Sequence, residues 1–233
     1  MANLIAASLV FLGIHLFISG TRLRDVLVAI MGERPYMGLF SLASLGVIVW
    51  MAMAFNQAGA VPGSADDPFL YDLGRGARDA ALPIVAIAFL LGVPGLLTPN
   101  PTSVNAEKLA AKPDTVRGVL RITRHPFLWG TAIWSADHLT TNSDQASVIF
   151  FGTFLLLSLF GTVSIDAKRR RKLGPAWEGF AAQTSNVPFA AILSGRNNFR
   201  AKEYFDWRFA VAAVLFLAML FGHVYIFGVS PFA

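Results

Sequence analysis

Long apolar stretches recur along this sequence and constrain its fold more than any other feature. A helix needs about 20 mostly apolar residues to cross the roughly 30 Å hydrocarbon core of a bilayer. Five stretches meet that requirement, at residues 3–20, 39–55, 80–98, 146–165 and 209–229. The composition agrees, because 55% of the residues are hydrophobic and only 14% are charged. The pattern predicts an all-α, multi-pass membrane protein with a single domain over residues 1–233.

A sixth, weaker stretch at residues 127–142 contains the polar side chains of Asp137 and His138. The distribution of Lys and Arg supports it as a span. With six spans, the first, third and fifth connections contain 16 Lys and Arg residues, and the second and fourth contain 2. Without the sixth span, the basic loops would fall on opposite sides. Because positively charged loops stay in the cytoplasm, we expect both termini outside and a location in the cell inner membrane.

The first basic residue follows the first apolar stretch, and this position helps to decide whether that stretch is a cleaved signal peptide. A secretory signal peptide has positive charge before its apolar segment. Here the first positive residue is Arg22, so we expect the first helix to be retained. For the whole chain we expect the lipid bilayer as partner and no nucleic acid. The connection at residues 166–206 contains a basic run at residues 168–172, which is typical of a topology anchor, and aromatic residues that predict an interfacial amphipathic helix.

Four residues of the weak span recur at helical spacing on one face: Gly130, Trp134, His138 and Thr141. A glycine there admits either a flat group, on which Trp134 would stack, or the backbone of a neighbouring helix. The spacing leaves both alternatives open. Other glycines in apolar stretches, Gly46 and Gly152 among them, also suit close helix approach in lipid.

All four histidines lie in or beside proposed spans: His15, His125, His138 and His223. Neutral imidazole is a usual axial ligand of haem iron, so they are candidate haem ligands. His138 follows His125 by 13 residues, about 20 Å along a helix, so one iron cannot bind both. Helix rise places His138 nearly level with His223, and His15 nearer the level of His125. The spacing allows these two pairs and selects neither.

A cationic cluster precedes the weak span, at Arg117, Arg121, Arg124 and His125. Arginines beside a helix start suit an anionic ligand, although they also serve topology. The absence of cysteine excludes disulfides and cysteine nucleophiles. Sequence motifs of P-loop NTPases, serine hydrolases and zincins are also missing.

The sequence resembles the NnrU family in several segments that occur in the expected order. They are residues 13–15, 32–41, 123–130 with His138, 184–192, 195–196 and 223–231. The resemblance implies an integral membrane protein linked to nitrite and nitric oxide metabolism in denitrifying bacteria. The family is similar to plant 15-cis-zeta-carotene isomerase, a membrane protein that holds haem b through histidines. That similarity implies His15 and His138 as ligands and a hydrophobic small molecule as substrate, whereas helix rise favours His138 with His223.

The segment Arg124-His125-Pro126 also resembles isoprenylcysteine carboxyl methyltransferases, which bind S-adenosylmethionine. Residues 174–178 match their second motif in part, but a single Glu178 stands where that family has a denser run of acids. Three hypotheses follow. The chain is a haem b protein acting as redox partner, sensor or isomerase; a methyltransferase with Arg124, His125 and Glu178 at its cofactor; or a non-enzymatic assembly factor for nitrogen-oxide reductase proteins.

Overall fold

The computed structural model describes residues 1–103 and 106–232, and within them every regular element is helical. The all-α prediction is therefore confirmed. The α-helices are α1 (Ala2–Gly13), α2 (Leu23–Met31), α3 (Glu33–Ala58), α4 (Gly74–Leu97), α5 (Val119–Ile122), α6 (Pro126–Thr141), α7 (Gln145–Leu173), α8 (Pro175–Gln183), α9 (Ala190–Leu193) and α10 (Trp207–Phe227). A π-helical segment, Ile14–Ser19, continues α1, and short 3₁₀ turns occupy Glu107–Ala111, Pro113–Thr115 and Ala201–Tyr204.

Within the described residues, five helices are long and apolar enough to cross a bilayer. They are α1 with its π-helical segment, α3, α4, α7 and α10, which correspond to the five strong apolar stretches of the sequence. The chain is a multi-pass membrane protein. The weak sixth stretch forms α6 with almost the predicted bounds, but its 16 residues are fewer than a typical span needs. The number of spans and the side on which the termini lie therefore stay predictions.

The structure corrects two expectations for the connection at residues 166–206. The basic residues 168–172 continue α7 to Leu173 instead of lying in a loop, because Lys and Arg are good helix formers once the chain leaves the hydrocarbon. The predicted amphipathic helix exists as α8. However, its Trp177 and Phe180 are almost wholly buried and pack in a cluster with Ala110, so these two rings face protein and not lipid.

The first compact unit comprises Met1–Asp79 with Ser135–Ser164. Its apolar core joins α1, α3 and the start of α7, through residues Leu4, Ala7, Phe11, Met51, Ala54 and Ala146. Asp67 ties the connection after α3 to this core, because its Oδ1 accepts a hydrogen bond of 2.8 Å from the backbone N–H of Ala146. The carboxylate thereby satisfies a donor in the first turn of α7 that has no partner within the helix.

The second compact unit comprises Ala80–Trp134 and the chain from Ile165 onward. Here α4 and α6 touch through glycines: a Cβ added to Gly130 would lie 2.6 Å from the Cα of Gly92. The space at Gly130 is therefore filled by a neighbouring backbone, and the alternative of a flat group at this residue is wrong. The expectation for Gly46 and Gly152 is also wrong, since a Cβ at either would meet no described atom within 4 Å.

We predict that Gly130→Ala lowers the free energy of unfolding by about 1–3 kcal/mol, the usual cost of overpacking a tight contact. The new methyl group would press on backbone atoms of α4, which cannot rotate away as a side chain can. Denaturant unfolding in detergent, followed by tryptophan fluorescence, measures this change. Gly152→Ala is the matched control, and we expect it to leave stability unchanged or slightly raised, because Ala favours helix. Equal effects of the two substitutions would contradict the close approach.

Candidate functional site

His15 lies in the π-helical segment that follows α1, in the first unit. Its Nδ1 is 2.8 Å from the carbonyl oxygen of Phe11. A carbonyl only accepts hydrogen bonds, so Nδ1 must carry the hydrogen, and in neutral imidazole Nε2 then presents its lone pair. Ser44 of α3 faces that lone pair, with its hydroxyl oxygen 3.2 Å from Nε2. A hydrogen bond from Nδ1 to a carbonyl is the usual way in which proteins orient a metal-binding histidine.

The π-helical geometry itself was not predicted from the sequence. Segments of this kind are rare and are frequently found at functional sites. Gly20 ends the segment, and a Cβ there would lie 2.1 Å from the carbonyl oxygen of Leu16. The wide turn around His15 therefore requires glycine at residue 20, which is the signal that the sequence did offer.

Aromatic rings surround His15 and reach towards His138 within the same unit. The His15 ring lies 4.5 Å from Phe11 and 5.3 Å from Phe40, measured between ring centroids. The His138 ring lies 4.6 Å from Phe151. Further ring pairs join Phe11 to Phe154 (5.7 Å), Phe154 to Phe150 (5.2 Å) and Phe150 to Phe151 (5.3 Å). A continuous series of aromatic contacts thus connects the two histidines.

The other predicted site residues lie in the second unit: His125, His223, Trp134 and Arg124. His223 resembles His15 in one respect, since its Nδ1 is 2.8 Å from the carbonyl oxygen of Val229. Pairing of His138 with His223 stays a prediction. Among the described residues, no group of three or more His, Asp or Glu side chains lies close enough together to hold a metal ion without a cofactor.

Arg124 and His125 are held by Asp166, a residue that was not predicted as part of the site. The guanidinium of Arg124 donates from Nε to both carboxylate oxygens, at 2.9 and 3.0 Å, and from a terminal nitrogen to Oδ2. Nε2 of His125 lies 2.6 Å from Oδ1. Asn186 approaches the same carboxylate at 3.4 Å, and the Arg124 guanidinium lies over the ring of Trp177 at 5.8 Å. The carboxylate therefore joins α7 to the start of α6.

Burial sets the electrostatics of this cluster. His125 is almost fully buried, and burial lowers its pKa, whereas the hydrogen bond and charge of Asp166 act in the opposite direction.

The backbone of Arg124 is also held on both sides. Its N–H donates to the carbonyl of Ser185 at 2.9 Å, and its carbonyl accepts from the Asn100 side chain at 3.0 Å. Arg124 thus connects three chain segments through direct bonds.

The residues expected around S-adenosylmethionine have partners inside the protein. Arg124 and His125 share Asp166, while Glu178 pairs with Arg170 at 2.9 Å on an exposed part of α8. Asp137, the acid of the weak span, is buried, and its Oδ1 has no hydrogen-bond partner among the described residues.

We predict that Asp166→Asn lowers the free energy of unfolding by about 3 kcal/mol, because removing one partner leaves the buried Arg124 charge uncompensated. Asp79→Asn makes the same chemical change at an exposed ion pair with Arg75, and we expect it to cost less than about 1 kcal/mol. Parallel unfolding curves in one detergent measure both. If Asp166→Asn costs no more than the control, the cluster is not what holds these segments together.

Comparison with known proteins places these sites in context. The family model described as NnrU protein matches residues 3–231. The chain is 32% identical to the 15-cis-zeta-carotene isomerase, chloroplastic, of Zea mays over 109 residues, which is 46% of this chain and 30% of that protein. The isomerase of the same name from Arabidopsis thaliana is 28% identical over 116 residues, 48% of this chain and 32% of that protein. The matches therefore span less than a third of these longer relatives. No solved structure matches the chain.

Proposed function

Because the chain belongs to the NnrU family, we propose that it is a haem b membrane protein with a cis–trans isomerase activity on an apolar polyene. The observation that carries the proposal is the hydrogen bond from Nδ1 of His15 to the carbonyl of Phe11. It selects the tautomer whose Nε2 can bind a metal ion, in a membrane helix where a histidine is costly unless it has a role. Two relatives named as 15-cis-zeta-carotene isomerases support the substrate class.

His15 and His138 are the residues that would hold haem b. Both belong to the first unit, and both rings pack against phenylalanines, the type of side chain that suits a flat macrocycle. When bound, haem b supplies a Lewis-acidic, one-electron centre, chemistry that lowers the barrier to rotation about a conjugated double bond without net oxidation. His15 offers its Nε2 lone pair for this purpose once Ser44 turns its hydroxyl aside.

Phenylalanine side chains of this unit provide the apolar surface that a polyene would contact. Phe11 and Phe40 flank His15, and Phe150, Phe151 and Phe154 extend the apolar surface towards His138. Such rings exclude water and stack on conjugated hydrocarbon. Rotation about a conjugated double bond transfers no proton, so this apolar site does not need a general base.

The other hypotheses have less support from the geometry. Methyl transfer would require Arg124, His125 and Glu178 at one cofactor, whereas these residues pair with Asp166 and Arg170. The link to nitrite and nitric oxide metabolism, the role as a reductase assembly factor and the location in an inner membrane stay predictions.

We predict a Soret absorption band for the protein purified in detergent from cells supplied with haem. His15→Ala and His138→Ala should each reduce the band by roughly tenfold or more, because each removes a side chain that would hold the haem. His223→Ala is the control that should retain it. Ser44→Ala should also retain it, since this change removes only a hydroxyl that competes for Nε2.

A wild-type protein without a Soret band would overturn the haem proposal, as would an unchanged band in His15→Ala. Loss of the band in His223→Ala together with retention in His15→Ala would replace the proposed pair by His138 with His223.

We predict that the haem-loaded protein converts 15-cis-zeta-carotene to its 15-trans isomer with no change in mass. Chromatography with absorption detection, before and after anaerobic incubation, measures the product. His15→Ala should reduce the rate to background, whereas Glu178→Gln should leave it unchanged, because Glu178 belongs only to the methyltransferase hypothesis. A protein with a normal Soret band that leaves this substrate unaltered would contradict the proposed substrate.

A further inference from the structure

The second unit contains a polar cavity of about 390 Å³ that is separate from the histidine site. Four arginines and two acids line it: Arg117, Arg121, Arg196, Arg200, Asp114 and Glu203. We call it the arginine cavity. Its lining therefore has a formal excess of two positive charges, and three of its arginines, Arg117, Arg196 and Arg200, are exposed and accessible to an anion.

The acids of the cavity are already engaged or exposed. Glu203 accepts from Nε of Arg121 at 2.8 Å and from the backbone N–H of Gly118 at 2.6 Å. Burial raises the pKa of Glu203, but these bonds and the arginine charges outweigh it and the pKa is lowered, so Glu203 stays ionised. Arg196 donates to backbone carbonyls, the nearest that of Thr184 at 2.8 Å, which leaves its charge without a matching acid among the described residues.

Asn197 provides an independent sign of a ligand. Only 8% of this residue is exposed, and it lines the arginine cavity. Its Oδ1 accepts from Arg121 and from the backbone N–H of Asn198, both at 2.7 Å, and two donors at one atom fix the orientation of the amide. The Nδ2 group is then a buried donor with no partner among the described residues. An unmet buried donor costs about 1–3 kcal/mol, so a ligand oxygen that reaches Nδ2 would be strongly favoured.

A second cavity, of about 520 Å³, adjoins the first and shares Arg117 and Glu203 with it. Its lining includes Phe205 and Trp207, whose exposed fractions are 91% and 59%. Trp207 is the first residue of α10, a helix apolar enough to cross a bilayer. Exposed aromatic residues at the end of a span are typical of the membrane interface. The arginine cavity thus lies beside the end of α10 that is expected at the headgroup level.

We propose that the arginine cavity binds a phosphoryl group. Arginine guanidinium groups match the oxygens of phosphate in paired hydrogen bonds, and a phosphate monoester supplies the two negative charges that the lining lacks. Its oxygens accept from Nδ2 of Asn197 and from Arg117. The phosphoryl group belongs to a lipid headgroup such as phosphatidic acid or to a free phosphate ester, and the adjoining aromatic cavity favours the lipid. The site does not depend on haem.

Titration calorimetry on the protein in detergent tests the site, with inorganic phosphate, short-chain phosphatidic acid and short-chain phosphatidylcholine as probes at constant ionic strength. Asn197→Asp keeps the acceptor oxygen that Arg121 uses but replaces the free donor by a negatively charged oxygen. We expect it to weaken phosphatidic acid binding by roughly tenfold or more, with the melting temperature retained. Arg117→Gln, at an exposed residue, should weaken binding by a similar factor. Arg75→Gln, in the first unit, is the control for the loss of one charge.

Each outcome decides the proposal. Binding of phosphatidic acid alone identifies a lipid headgroup as the source, and equal binding of inorganic phosphate identifies the free phosphoryl group. If neither phosphatidic acid nor inorganic phosphate binds, the proposal is overturned. Phosphatidylcholine binding as tight as phosphatidic acid binding would also overturn it. So would affinities in Asn197→Asp and Arg117→Gln that equal the affinity in Arg75→Gln.

Discussion

Polar side chains that enter apolar helices have to be held by other groups of the protein, because a bilayer has no water to replace those partners. This constraint shapes both compact units. In the first, Asn3 accepts from the indole N–H of Trp50 at 3.0 Å, and His15 bonds to its own helix and to Ser44. In the second, Asp166 holds a guanidinium, an imidazole and an amide at once. Nδ2 of Asn197, in the loop after α9, has no partner among the described residues, and there we favour a ligand as the physical explanation.

The two kinds of polar arrangement differ in what they leave for chemistry. Arg124 and His125 direct their side chains at Asp166, so the cluster is suited to joining segments. At His15 the hydrogen bond lies on Nδ1 and leaves the opposite ring nitrogen facing only a serine hydroxyl. An imidazole in that state can exchange a weak partner for a metal ion. This contrast is why the histidine site, and not the arginine-rich end of α6, carries the proposed activity.

Apolar length was enough to predict the five long helices, because composition over 20 residues decides whether a segment crosses a bilayer. Helix spacing also placed Gly130 at a contact without choosing its occupant. The Asp166 cluster was out of reach, since Arg124 lies 42 residues away in sequence and Asp166 resembled an ordinary residue after a span. The π-helical segment was missed because it depends on backbone bonding, and its one signal in the sequence was the single glycine at residue 20. The extension of α7 was missed because charged residues were assigned to a loop.

The central claim is that His15 keeps Nδ1 protonated and Nε2 unprotonated, with only the Ser44 hydroxyl facing Nε2, before any cofactor binds. Nitrogen-15 NMR of histidine-labelled protein prepared without haem tests it directly, with the His15 signals assigned by their loss in His15→Ala. The account predicts a protonated Nδ1 and an unprotonated Nε2 at neutral pH. A hydrogen on Nε2, whether in the other tautomer or in a doubly protonated ring, would contradict the account.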